Sequence, residues 1–183
     1  MIIGLAGKAR SGKDTIGDWL KNERGFFKLH FASALKEVVG KKLFNLNDEQ
    51  LYGSLKEVTD PNWGLSPRQI LQESGTKLRE VHPELWTKFV ERILREEAGK
   101  GIDMVVCDVR FPNEKTMLEK VAEDTKTPLL LVKVVRTDFV LPSSHISETA
   151  FDNDSDWDYI LEAETGVDNL IKKFAEFLTY VKR

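Results

Sequence analysis

Gly7-Lys8-Ala9-Arg10-Ser11-Gly12-Lys13-Asp14-Thr15 is the stretch on which the reading of this chain turns. The apolar run 1–6 precedes it, as a buried strand would, and Ile16, Trp19 and Leu20 follow at helical spacing. Gly7 through Lys13 therefore fits G-x-x-x-x-G-K between a predicted strand and a predicted helix, the context that marks a phosphate-binding loop. The glycines let the backbone curl until successive N–H groups face phosphate oxygens, and the following helix N-terminus adds positive potential. Lys13 supplies a mobile ammonium for the β- and γ-phosphates. A mere glycine turn with a solvated lysine would leave the strand, spacing and helix unconnected.

One position departs from the pattern. Ser or Thr usually follows the lysine and reaches Mg²⁺, whereas here Asp14 follows it and Thr15 comes next. A carboxylate can hold Mg²⁺ directly or through water. It can equally cap the helix. The sequence leaves both uses of Asp14 open, and also whether Asp14 or Thr15 faces the metal.

Working outward, Phe27, Leu29 and Phe31 alternate with polar residues as in a second strand, and Gly25 stands where the first helix should stop. Leu35, Val38, Val39 and Leu43 return to helical spacing, and 56–65 reads as a loop. Ser66, Pro67 and Gln69 form a helix start, with Ile70, Leu71 and Leu78 as its apolar face. Trp86, Phe89, Val90, Ile93 and Leu94 outline another helix. Strands are expected over 104–107, 129–135 and about 159–161, with helices over 113–123 and from Leu170 to Val181. Such alternation predicts an α/β protein, a three-layer sandwich around a mostly parallel sheet.

Composition narrows the class further. The chain has 183 residues, 41% hydrophobic and 31% charged, the balance of a globular domain. No apolar run approaches the ~18 residues of a membrane-spanning helix. Thirty acidic residues against 27 basic ones give a net charge of −3, which argues against general affinity for nucleic-acid backbones. Met1 leads straight into Ile2, Ile3 and Gly4 without a basic leader, and the single Cys107 cannot form an internal disulfide. A cytoplasmic protein is expected, in the host cytoplasm if a phage encodes it.

A phosphate loop implies a nucleotide but no reaction. The choice of reaction rests on an ordered series: GKARSGKDT at 7–15, Phe31-Ala32 with Lys36, then Arg68, Gln72, Gly75-Thr76 and Trp86. Asp108-Val109-Arg110-Phe111-Pro112-Asn113-Glu114 and His145-Ile146-Ser147-Glu148 complete it. This series resembles the deoxynucleoside monophosphate kinases of bacteriophages and their bacterial relatives, over most of the chain; 56–65 offers nothing to align. The resemblance implies a P-loop nucleoside monophosphate kinase-like fold, one kinase domain over 1–183 with a helical acceptor-binding region at about 32–99. It implies transfer of the γ-phosphoryl group of ATP to a deoxynucleoside monophosphate, with Mg²⁺ as cofactor.

Residue chemistry agrees at several positions. Lys13, Arg10 and Arg110 would neutralise the transferring phosphoryl group, with Gly7, Ser11, Gly12, Asp14 and Thr15 around the ATP phosphates; the resemblance implies that Arg136 lines the ATP side. The resemblance implies that Lys36 meets the acceptor phosphate; otherwise it is a solvated lysine on an amphipathic helix. Arg68 and Gln72 lie one helical turn apart; a guanidinium suits phosphate and an amide suits a base edge. Gly75 and Thr76 would give the acceptor room. Trp86 is either core or pocket wall. Asp108, at the carboxyl end of its strand, would hold Mg²⁺ through water or bind acceptor. Asn113 and Glu114 either read substrate or simply begin a helix. No step follows for His145, Ser147 or Glu148. The rival readings are a P-loop kinase for another small phosphorylated or modified-base acceptor, and a nucleotide-binding switch without an acceptor. No nucleic-acid or membrane partner is expected, and a homodimer is left open.

Overall fold

The computed structural model describes residues 1–136, 145–163 and 166–181. Two compact units emerge, Met1–His30 with Glu91–Arg183 and, separately, Phe31–Val90.

The first unit holds a five-stranded parallel sheet of order β2-β3-β1-β4-β5. Its strands are β1 (Ile2–Ala6), β2 (Phe27–Leu29), β3 (Met104–Val109), β4 (Leu129–Arg136) and β5 (Tyr159–Ala163). β1 is central, with Ile2 in register with both Met104 and Leu129, and every residue of β1 and β3 is buried. That double burial explains why both strands are unbroken apolar runs rather than alternating ones. β3 runs two residues beyond the expected end, so that Asp108 lies inside the strand rather than after it.

α1 (Lys13–Arg24) and α8 (Val167–Val181) cover one face, where Ile16 and Leu20 meet Leu170, Phe174 and Leu178 over Ile3, Leu5 and Val132. α6 (Pro112–Thr125) covers the other face, against β1 and β4. This is the expected three-layer α/β architecture. Gly17 lets α1 approach the sheet, since a Cβ there would run into Cys107 Sγ. A mid-helix glycine costs about 1 kcal/mol relative to alanine, so close packing has to offset it.

In the second unit, α2 (Ala32–Ala34) continues into a π-helical stretch, Leu35–Leu43. The expected apolar face of an α-helix is displaced by the wider winding: Val39 is buried, whereas Val38 and Leu43 are 51% and 67% exposed. α3 (Asp48–Leu51) begins with a capping box formed by Asn47 and Gln50, a start the composition reading passes over. The 56–65 loop is fastened by Asp60, which accepts from Gln50 Nε2 and the Asn62 N–H. α4 (Pro67–Val81) has the anticipated box, Ser66 accepting from the Gln69 N–H and Gln69 Oε1 from the Ser66 N–H. α5 (Leu85–Gly99) buries Trp86, Val90 and Leu94, while Phe89 stands 38% exposed and so departs from the expected stripe.

Candidate active site

All the first unit's candidate residues gather at the carboxyl edge of the parallel strands, where ligands bind in open α/β sheets. The chain leaves β1 through Gly7 at φ +146° and enters α1 through Gly12 at φ +99°, with Arg10 left-handed between them at φ +62°. A Cβ on Gly7 would lie 2.5 Å from the Val134 carbonyl oxygen, and one on Gly12 2.6 Å from Leu170 Cδ2. Glycine is required at both positions on conformational and spatial grounds. Arg10, as a non-glycine left-handed residue, stores strain of the sort found at ligand-binding turns. Ser11 is 2% exposed, and its Oγ has no hydrogen-bond partner among the described residues. A buried hydroxyl without a partner is costly, which fits a loop shaped to receive an anion.

Lys13 is buried, and its Nζ donates to the Lys8 carbonyl at 3.1 Å across the loop. Burial pulls its pKa down and the Arg110 charge adds to this, outweighing Asp14, Glu148 and Asp108. The ammonium is therefore poorly solvated and poised for an anionic partner. Asp14 does not cap α1; Gly12 occupies the N-cap position, without a side-chain bond. Its Oδ1 instead meets His30 Nε2 at 3.0 Å. Burial raises the Asp14 pKa, but the His30 hydrogen bond and the charges of Lys13, His30 and Lys28 prevail and hold it far below the usual carboxylate range. Thr15 is half-buried beside it.

Asp108 is 6% exposed at the end of β3. Arg110 follows, held at both ends. Its backbone N–H donates to Glu114 Oε2 at 2.7 Å; its Nη1 donates to the Ser147 carbonyl at 3.1 Å and to Glu148 Oε1. Glu114 also accepts from the Phe111 N–H at 3.1 Å, so its buried carboxylate fixes the turn into α6. Of the two uses foreseen for it, the start of a helix is the one with visible contacts. Asn113 sits exposed on the first turn of α6.

Glu148 lies on the short helix α7 (Ile146–Thr149), whose N-cap is His145, with Nδ1 accepting from the Ser147 N–H at 3.2 Å. Glu148 Oε2 accepts from the Ala9 N–H of the phosphate loop at 2.7 Å, while Oε1 takes the Arg110 guanidinium. Burial pushes the Glu148 carboxyl upward, but the Arg110 charge and hydrogen bond and the Ala9 N–H bring it below the ordinary range. Lys8 pairs with Asp152 at 2.9 Å, a second tie from the loop to the same segment. Two cavities flank the loop, of about 280 and 220 Å³, and Arg136 lines both. The smaller also meets Arg10, Asp14, Thr15 and Val167. Among the described residues no cluster of three or more His, Cys, Asp or Glu makes a ready metal cage.

The second unit carries the other candidates. Arg68 Nη1 meets Glu57 Oε1 at 2.8 Å at the surface, and Gln72 is half-buried one turn on. Lys36 Nζ lies 4.5 Å from the centre of the Tyr52 ring. Thr76 is half-buried, but the space beside Gly75 is not open: a Cβ there would meet Leu35 Cδ2 at 3.1 Å. The Gly75 carbonyl accepts from Trp86 Nε1 at 3.3 Å, and Trp86 is only 6% exposed. These two residues join α4 to α5. The contacts of His30, Glu57 and Glu148 were not visible in the sequence; only the capping pattern of His145 before Ser147 hints at α7.

A phosphate loop entering a helix at the carboxyl edge of a parallel sheet, beside an acid and an arginine on the neighbouring strand end, defines a P-loop nucleotide-binding protein. The fold agrees with that of dephospho-CoA kinase from Campylobacter jejuni, at a TM-score of 0.54 and 12% identity over 98% of this chain and 96% of that one. No protein-family model matches the chain. A protein of Acanthamoeba polyphaga mimivirus described as a deoxynucleotide monophosphate kinase is 31% identical over 175 residues, 88% of this chain and 87% of the relative. The deoxynucleoside-5′-monophosphate kinase of Escherichia phage T5 is 34% identical over 108 residues, 57% of this chain and 42% of the relative. The chain belongs to the deoxynucleoside monophosphate kinase family and is a phosphotransferase.

Proposed function

We infer that the chain transfers the γ-phosphoryl group of ATP to the 5′-phosphate of a deoxynucleoside monophosphate, giving ADP and a deoxynucleoside diphosphate. The observation that carries this reading is Arg110, a guanidinium fastened beside the phosphate loop in addition to the loop's own Lys13. A protein that only binds a nucleotide has no need of a second, half-buried cation fixed there.

In the reaction an oxygen of the acceptor phosphate bonds to the γ-phosphorus as the bond to the β,γ-bridging oxygen breaks. The acceptor phosphate is already ionised at neutral pH, so no strong general base is needed. Catalysis then rests on positioning and charge neutralisation. The loop amides and Lys13 hold the ATP phosphates, Arg110 bridges donor and acceptor, and Arg10 and Arg136 face the ATP side. Arg68 and Lys36 hold the acceptor phosphate, and Gln72 reads the base. Asp14, kept ionised in this structure, with Thr15 and Asp108, offers the hard oxygen donors that suit Mg²⁺ shared with phosphates. When bound, the ion would offset phosphate charge.

The test is direct. The protein is mixed with ATP, Mg²⁺ and each deoxynucleoside monophosphate in turn, and the nucleotides are separated. Equal amounts of ADP and a deoxynucleoside diphosphate support the reading; ADP with no diphosphate product contradicts it and leaves a slowly hydrolysing nucleotide switch.

A further inference from the structure

We propose that Glu148 is a positioning residue for phosphoryl transfer, one buried carboxylate that sets Arg110 and the phosphate loop in fixed relation. This rests on the reading of Arg110 given above.

Glu148 uses each oxygen separately: Oε1 takes the Arg110 guanidinium, and Oε2 takes the Ala9 N–H at 2.7 Å. Both bonds are charge-assisted, so both are short and directional. The side chain is 3% exposed. A carboxylate so deeply buried is a poor device for stability, because the cost of desolvation consumes most of the attraction. What such a pair does provide is geometry. Arg110 is otherwise held by its backbone N–H on Glu114 and by the Ser147 carbonyl, which restrain its turn and one arm. Among the described residues, Glu148 couples the guanidinium to the loop that carries Lys13. Its own placement is secured by the His145 cap on the Ser147 N–H and by Lys8 meeting Asp152 further along the segment. Side chains held in this way by packing and supporting hydrogen bonds keep a reacting group within the narrow tolerance that phosphoryl transfer requires.

A competing account makes the carboxylate a stand-in for phosphate, occupying a loop N–H and an arginine until ATP displaces it. The two accounts differ in sign. A positioning residue raises kcat when present; a stand-in weakens ATP binding.

The experiment is a mutant cycle of Glu148→Gln, Arg110→Ala and the double variant, with kcat and both KM values measured and a melting curve for each. Glu148→Gln is expected to lower kcat about 10- to 100-fold, with the KM for ATP changed by less than about 3-fold, as suits a displaced rather than a deleted catalytic group. In the Arg110→Ala background the same change is expected to cost less than about 2-fold, since its effect passes through Arg110. Losses that multiply in the double variant overturn the proposal, as does a normal kcat in Glu148→Gln. A lower KM for ATP with kcat kept or raised would establish the stand-in account instead. Should Glu148→Gln fail to fold, Glu148→Asp keeps the charge and is run through the same cycle. Its loss must again vanish in the Arg110→Ala background. If Arg110→Ala alone turns over normally, the reading of Arg110 fails first and the proposal with it. A slow Arg110→Ala beside a fully active Glu148→Gln overturns the proposal alone.

Discussion

Two of the arginines that carry a glutamate partner, Arg110 and Arg68, differ in where that glutamate sits. Arg110 and Glu148 have side chains 25% and 3% exposed; Arg68 and Glu57 have side chains 32% and 55% exposed. The chemistry is the same and the consequence differs. Breaking the first pair strands a buried charge, whereas an exposed pair is worth about 0–1 kcal/mol and exchanges readily. A phosphate contact to an arginine is worth about 1.5–3 kcal/mol, so under the proposed function the acceptor monophosphate competes with Glu57 for Arg68. On the proposed reading, the phosphate-loop site is built in advance of substrate, and Arg68 is left for the acceptor to claim.

The sharpest way to break this contrast is at the loop itself. Lys13→Ala is expected to lower kcat by on the order of 100-fold or more, because a desolvated cation facing the phosphates disappears. Steady-state rates on the folded variant check this, and near-normal turnover would remove the loop from the mechanism. Asp14→Ala should raise the Mg²⁺ concentration for half-maximal rate by about 3- to 10-fold. Its melting temperature should also fall, through loss of the His30 contact rather than of an N-cap, which Gly12 occupies. A metal titration beside a melting curve distinguishes a metal-facing carboxylate from one that only serves His30.

The pH dependence of stability tests the buried pair. The Glu148 carboxyl is lowered in the folded protein, since the Arg110 charge outweighs burial, so the unfolded chain binds the proton more tightly. Its contribution to stability is then fully present above the ordinary glutamate pKa of about 4.3 and is lost as pH falls through and below it. Denaturant midpoints between about pH 6 and pH 3 should fall less steeply in Glu148→Gln than in the parent; identical slopes would mean the pair is not formed in solution. The smallest effect belongs to the exposed pair. Glu57→Gln should lower the KM for the monophosphate by only about 2- to 3-fold, with stability unchanged, as a screened competitor for Arg68 is removed. A raised KM would instead make Glu57 a contributor to acceptor binding.

Where the chain order and the local pattern agree, the sequence was readable. The loop between β1 and α1, the five strands and the Ser66–Pro67–Gln69 start of α4 all depend on residues within a few positions of one another. The π-winding of Leu35–Leu43 escaped because its apolar spacing also suits an α-helix, and only the exposure of Val38 and Leu43 reveals the difference. Nor does any pattern announce that Leu35 lies against Gly75. Glu148 lies 139 residues from Ala9 and 38 from Arg110 in sequence, so nothing local announces that one carboxylate joins them. The residue types of the phosphate site could be named from the motif; the carboxylates that hold its cations needed the fold.

The contrast between the two arginines is tested most directly by their kinetics. Arg110→Ala and Arg68→Ala are compared at saturating ATP while each deoxynucleoside monophosphate is varied. Arg110→Ala is expected to lose most of its kcat even at saturating acceptor, as a preorganised transition-state partner is removed. Arg68→Ala is expected to keep kcat within a few fold while the KM for every accepted monophosphate rises about 10-fold or more. The reverse pattern, or an unchanged KM in Arg68→Ala beside an unchanged kcat in Arg110→Ala, would contradict the division of labour between the buried and the exposed pair.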